Sequence, residues 1–274
     1  MTDFYQAGRR PDALPRIMAA PNGARKTKAD HPALPVTVAE TVACAKACFE
    51  AGAQALHFHI RDENQAHILD AGLYREALAE LALAVPEMHL QITTETIGIY
   101  AAQDMRAVVR AVQPPGVSIG VAEMIPDYQP DRETIRFYQE LAETPARLQH
   151  ICYRPEDVQL LARLLQMAGL AGDDIWCLFV LGHYSGRRSQ PELLPAFLEA
   201  AQAGGLKPDW AVCAFAREEQ ACLEAAVQKG GKIRVGFENS LYMPDGSLAA
   251  DNAARLRAAS QLFKSWPGRN NPQK

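Results

Sequence analysis

The sequence predicts a single closed (β/α)8 barrel, and three observations carry that prediction. Eight strand-like segments alternate with eight helix-like segments along a chain of 274 residues. No composition break or linker divides the series, so one core spanning about residues 14–266 is expected. No GxGxxG turn follows the first strand, where a doubly wound dinucleotide-binding sheet would more naturally carry one. With 48% hydrophobic residues the chain has enough apolar material to bury such a core.

The first strand is expected at residues 14–20, an apolar run stopped by the turn Pro21-Asn22-Gly23. A helix follows at 37–51, with Thr37 as N-cap, Glu40 three residues on to complete a capping box, and Gly52 to end it. The next pairs are strand 54–60 with helix 73–84, strand 88–93 with helix 101–112, and strand 117–122 with helix 131–143. The second half repeats the alternation: strand 147–152 and helix 156–168, closed by Gly169; strand 175–181 and helix 191–203, closed by Gly204-Gly205. Strand 210–215, helix 218–229, strand 233–237 and helix 248–263 complete the series, and the Pro-, Gly- and Asn-rich tail 267–274 is expected to fray.

Composition narrows the partners. Lys and Arg total 28 against 32 Asp and Glu, a net charge of -4 without a long basic block, which argues against nucleic acid or an anionic membrane surface. No run approaches the ~20 apolar residues of a membrane span. The opening MTDFYQAGRRPDALPR holds neither a secretory apolar segment nor a myristoylation glycine, so a soluble cytoplasmic protein is expected. The six cysteines include no CxxC pair and read as free structural thiols of a reducing compartment.

In such a barrel the chemistry sits at the carboxyl ends of the strands. The second strand ends Leu56-His57-Phe58-His59-Ile60, and period two turns both imidazoles to one face. Two inward imidazoles are costly as filler, because their ring nitrogens need partners. In the eighth strand Arg234, Gly236 and Glu238 share a face, and barrel closure brings that strand near the second. Glu238 can complete a His2Glu set with an open position, a donor set suited to catalytic zinc; it can equally pair with Arg234. Thr93 and Glu95 share a face at the end of the third strand, and Glu123 follows the fourth, where each carboxylate is a candidate base or a rim ion pair. The loop 182–188, with Ser185, Gly186 and the two charges Arg187 and Arg188, has the flexibility, hydroxyl and charge to cradle a carboxylate or phosphate. Asn22 and Arg25 beyond the first strand and Asn239 beyond the last complete the candidates, as substrate contacts.

These residues resemble the zinc-dependent β-keto acid cleavage enzymes over nearly the whole chain: AAPNGARKTKADHPALPVT, ACFEAGAQALHFHIRD, QITTET, FVLGHYSG and GGKIRVGFENSLY. The specific part is the pairing of HFHIRD with RVGFEN. The resemblance implies a TIM barrel that converts a β-keto acid and acetyl-CoA to acetoacetate and a new acyl-CoA, working as a homo-oligomer. It implies zinc on His57, His59 and Glu238, a catalytic role for Arg234, and Thr93 at a hydroxyl position often filled by serine. Two residues depart from the family's amino-hexanoate-cleaving example. Arg25 replaces a glutamate suited to a substrate amino group, which points to a neutral or anionic acyl tail, a dicarboxylate being favoured over the cationic amino-hexanoate. Asn239 replaces an aspartate implicated in proton transfer; a neutral amide cannot be that base, so Glu123, then Glu95, is expected to serve, or else solvent at the ion. A metal-dependent barrel lyase or aldolase-like enzyme without CoA, and a noncatalytic metabolite-binding barrel, are the competing readings.

Overall fold

The computed structural model describes residues 11–183 and 186–265. Eight parallel strands close in sequence order, each hydrogen-bonded to the next and β8 to β1. They are β1 (Ile17–Ala19), β2 (Ala55–Phe58), β3 (His89–Thr93), β4 (Gly116–Gly120), β5 (Arg147–Cys152), β6 (Trp176–Leu181), β7 (Asp209–Ala214) and β8 (Lys232–Val235). Around them lie α1 (Val38–Glu50), α2 (Ala71–Ala84), α3 (Ala102–Val112), α4 (Val121–Met124), α5 (Arg132–Ala142), α6 (Pro155–Ala168), α7 (Leu194–Ala203), α8 (Glu219–Gln228) and α9 (Asn252–Ser260). Among the described residues no helix is long and apolar enough to cross a membrane.

Strand alternation divides the apolar residues into two layers. Outward side chains such as Leu56, Phe58, Ile92, Phe179 and Val235 pack under the helices. Inward ones, among them Met18, Ala55, Trp176, Leu178 and Ala211, fill the barrel. The barrel is therefore a packed core, and polar chemistry is confined to its rim.

Among the boundaries that differ from expectation, three move site residues. β2 stops at Phe58 and β8 at Val235, so His59 and Glu238 lie just beyond their strands. At β8 the cause is close approach: Gly236 adopts φ +157°, and a Cβ there would lie 2.1 Å from the Ala20 carbonyl oxygen. The chain turns there, with Glu238 N donating to Ala20 O at 3.1 Å. β4 ends at Gly120, and the expected last strand residues instead open α4, which carries Glu123 in its first turn. The last helix starts at Asn252 rather than 248, because Asp251 caps it by accepting from Ala254 N at 2.7 Å while Leu248 bridges to Tyr242. The tail expected to fray lies outside the described residues.

Candidate metal centre and barrel mouth

The β2–β3 register sets His57 beside Gln91. Gln91 Nε2 donates to Gln149 Oε1 at 3.2 Å, which turns its own Oε1 toward His57 Nδ1, 2.9 Å away. A carbonyl oxygen only accepts, so His57 carries its proton on Nδ1 and leaves a lone pair on Nε2. His59 Nε2 lies 3.2 Å from that atom, and Glu238 Oε2 stands 3.5 and 3.6 Å from the two Nε2 atoms. Burial holds both imidazoles neutral, pushing the pKa of His57 down to about 4 and that of His59 well below its usual value.

Three ligand atoms thus converge, all within 4.8 Å of one another. Two neutral imidazoles and a carboxylate suit a divalent ion, and the oriented Gln91 is the kind of outer partner that fixes a ligating histidine. His59 Nδ1 is buried without a hydrogen-bond partner among the described residues.

Glu238 is positioned from every side. Its other oxygen, Oε1, accepts from Arg234 at 2.8 Å, so the carboxylate holds Arg234 with one oxygen and faces the two imidazoles with the other. Lys26 Nζ donates to the Glu238 carbonyl at 2.7 Å. Gly23, at φ +62°, leaves the space beside the side chain: a Cβ there would lie 2.5 Å from Glu238 Cγ. Asn22, expected as a substrate contact, is fully buried, and its amide is spent on backbone. It donates to His59 O at 2.8 Å and to Pro35 O at 3.2 Å and accepts from His59 N at 3.2 Å, so it holds the end of β2 in place of a strand ladder. Arg61 ties down the same loop through the carbonyls of Asn22, Gly23 and Lys26.

Outward from this centre, Thr93, Glu95, Tyr153 and Arg234 line a small space with His57 and Glu238. Thr93 Oγ1 accepts from Glu95 N at 3.0 Å, and Glu95 reaches to 3.8 Å from His59 Nε2. Glu95 and Tyr153 also line a cavity of about 380 Å³, whose wall includes Arg25, Glu123, Arg154 and Arg187. Burial pushes the Glu95 pKa up to about 8, helped by Glu238 and Glu123 and opposed by Arg25. Burial likewise pushes Glu123 up to about 7, opposed by a backbone hydrogen bond at Thr96 and by Arg25.

Of the loop 182–188, Ser185 lies outside the described residues. Gly186 is exposed at φ +102°, and Arg188 pairs with Glu218 at 2.6 Å on the surface, 74% exposed. Its neighbour Arg187 turns inward instead, donating to Gly182 O at 3.0 Å and to Tyr153 O. Asn239 is buried next to Glu238, its side chain beside the Cys213 thiol. Gln149 and Arg154 are not among the residues the sequence singles out, and Arg187 enters there only as one of two loop charges. Gln149 was signalled as a polar residue inside an apolar strand; the two arginines sit in loops with no periodic signal.

A parallel barrel with two imidazoles and a carboxylate converging at the carboxyl ends of its strands belongs to the class of TIM-barrel proteins equipped to hold a divalent ion at the mouth. The sequence profile of the β-keto acid cleavage enzymes matches residues 16–269, and the chain belongs to that family. It is 24% identical over 263 residues to 3-oxoadipate:acetyl-CoA acetyltransferase of Cupriavidus necator, covering 91% of this chain and 88% of that protein. It is 22% identical to 3-keto-5-aminohexanoate cleavage enzyme of Acetoanaerobium sticklandii, covering 91% of this chain and 92% of that one. The fold is similar to that of apo ObcA, with a TM-score of 0.66 at 14% identity over 84% of this chain; the chain spans 61% of that structure's length.

Proposed function

We propose that the protein catalyses zinc-dependent cleavage of a β-keto acid with acetyl-CoA. The C2–C3 bond of the keto acid breaks, its acyl part leaves as the new CoA thioester, and its two-carbon carboxylate end joins the acetyl group as acetoacetate. The observation that carries this reading is the convergence of His57, His59 and Glu238 beside a cavity in which cationic groups face two carboxyls. Relatives named as acetyl-CoA transferases support the co-substrate. When bound, zinc supplies Lewis-acid polarisation of the keto acid's oxygens.

The chain's own residues do the rest. Arg234, anchored on Glu238 at 2.8 Å and lining the innermost space, offers its guanidinium fork to negative charge developing on the substrate. Glu123, its pKa pushed up to about 7, is poised to take a proton near neutral pH, which Asn239 cannot do. Arg25 favours an anionic acyl tail, and a relative acting on 3-oxoadipate, a dicarboxylate, supports that class.

The test is incubation with acetyl-CoA and matched dicarboxylate, neutral and cationic β-keto acids, with acetoacetate and the new thioester measured. Chelator-sensitive formation of both products, best with the dicarboxylate, is expected. Keto acid cleavage that proceeds equally without acetyl-CoA would instead favour a metal-dependent lyase.

A further inference from the structure

One side chain ties together the cavity wall on the β4–β6 side: Asp157, in the first turn of α6 and fully buried. Both of its oxygens accept. Oδ2 takes the main-chain N–H of Tyr153 at 2.7 Å and of Arg154 at 3.0 Å, and Oδ1 takes the Tyr128 hydroxyl at 2.5 Å. The Asp157 N–H in turn donates to Arg154 O at 3.0 Å, so the Arg154 main chain is bonded to Asp157 through both its polar groups. Tyr128, between α4 and α5, adopts φ +58°, a left-handed conformation that a bulky residue keeps only where its surroundings hold it. Its carbonyl accepts from Arg163 at 3.1 Å, and its N–H donates to Ile125 O at 3.0 Å.

Glu95 and Tyr153 line both this cavity and the innermost space beside the metal ligands, whereas Tyr128, Arg154 and Asp157 line the cavity alone. The framed wall therefore stands on the side away from the reacting centre. Its two arginines differ in what they have left to offer. Arg187 is spent on the carbonyls of Tyr153 and Gly182. Arg154 is exposed, and its guanidinium makes no hydrogen bond or ion pair among the described residues. We propose that Asp157 is a positioning residue for substrate selection: by locking Tyr128 and the Tyr153–Arg154 main chain into one wall, it holds the Arg154 guanidinium where the acyl-end carboxylate of the keto acid arrives, a role that rests on the β-keto acid reading above. A planar fork matches a carboxylate, and a fixed main chain limits the freedom the fork must give up to meet it.

The test compares wild type with Asp157→Ala, Asp157→Asn, Arg154→Leu and the Asp157→Ala, Arg154→Leu double variant. Steady-state kinetics with matched dicarboxylate and neutral β-keto acids are measured beside binding of glutarate, a dicarboxylate with no keto group to cleave. Asp157→Ala should raise KM for the dicarboxylate about tenfold, acting on KM rather than kcat, with KM for acetyl-CoA unmoved. Arg154→Leu should do the same and the double variant no more than either, because one residue acts through the other. Asp157→Asn should recover most of the loss, since its oxygen still accepts the two main-chain N–H groups and its amide can donate to the Tyr128 oxygen. Tyr128→Phe, which keeps the cap of α6, should shift the same KM by about threefold, and it carries the test if Asp157→Ala folds poorly. Equal losses on both keto acids, additive effects in the double variant, no recovery in Asp157→Asn, or a shift in the acetyl-CoA KM instead would overturn the proposal. If the wild type forms no acetoacetate, glutarate decides: binding about tenfold weaker in Asp157→Ala upholds the carboxylate-selecting wall while the β-keto acid reading fails, and unchanged or undetectable binding overturns both.

Discussion

The two sides of the barrel mouth are built differently. On the β2–β3–β8 side, His57, His59 and Glu238 are fixed by strand register and by side-chain hydrogen bonds: the Gln91 side chain on the His57 ring, Asn22 on the His59 main chain, Lys26 on the Glu238 carbonyl. On the β4–β6 side, Glu123 rides a four-residue helix and Arg154 and Arg187 come from loops. Rigid positioning suits a coordination site, which tolerates little displacement, whereas loops are where substrate preference is varied on a constant barrel. Changes on the first side should therefore act through the metal centre and the groups fixed to it, and changes on the second should lower turnover or retune substrate preference with the metal retained.

The largest effect is expected for Glu238→Gln, which removes the only carboxylate of the ligand set and the anchor of Arg234. Turnover should fall on the order of a thousandfold, with metal lost in the same preparation. Steady-state kinetics with elemental analysis checks this; full turnover with normal metal content would break the distinction between the two sides. Arg234→Lys keeps the charge and loses the fork, and a drop in kcat on the order of a hundredfold with metal retained is expected. An unchanged kcat would make Arg234 a structural counter-charge only.

Glu123→Gln probes the loop side. A base must be ionised to accept a proton, so wild-type kcat/KM should rise with pH through about 7, the value to which burial pushes Glu123. The variant should lose about a hundredfold or more and flatten that rising limb, with folding and metal intact. A limb that persists unchanged would move the role to Glu95, whose pKa is pushed up to about 8.

A smaller effect is expected for Gln91→Leu, which takes the acceptor from His57 Nδ1. Metal affinity should weaken about 10–100-fold, measured by chelator competition. Unaltered affinity would mean that the imidazole is oriented by packing alone. Smallest in absolute rate is Arg25→Glu, which should reverse the ranking of dicarboxylate and cationic β-keto acids, by about tenfold in kcat/KM ratio. An unchanged ranking would remove Arg25 from substrate selection.

The same contrast explains what could be read from the chain before its structure. The barrel was legible because alternation and helix punctuation, as in Thr37 with Glu40, are local properties, and both recur in the fold. The convergence of His57, His59 and Glu238 was legible because period two and barrel closure together limit where three side chains can point. The strand ends were not, since β2 and β8 stop where Asn22 and the Ala20 carbonyl, distant in sequence, take over the backbone. Nor was the choice of Arg187 over Arg188 for the cavity legible, because adjacent loop residues have no periodic register to separate them. Asn22 shows the same limit: its residue type fits a ligand contact, and only the fold reveals that its amide is already committed.

The central claim is that His57, His59 and Glu238 form one metal centre on which the cleavage reaction depends. Its most direct test is elemental analysis of gently purified protein, wild type beside the His57→Ala, His59→Ala double variant, each confirmed as folded by circular dichroism. One zinc per chain in the wild type and none in the double variant is predicted, with acetoacetate formation lost in parallel. Stoichiometric zinc retained by the double variant would contradict the account.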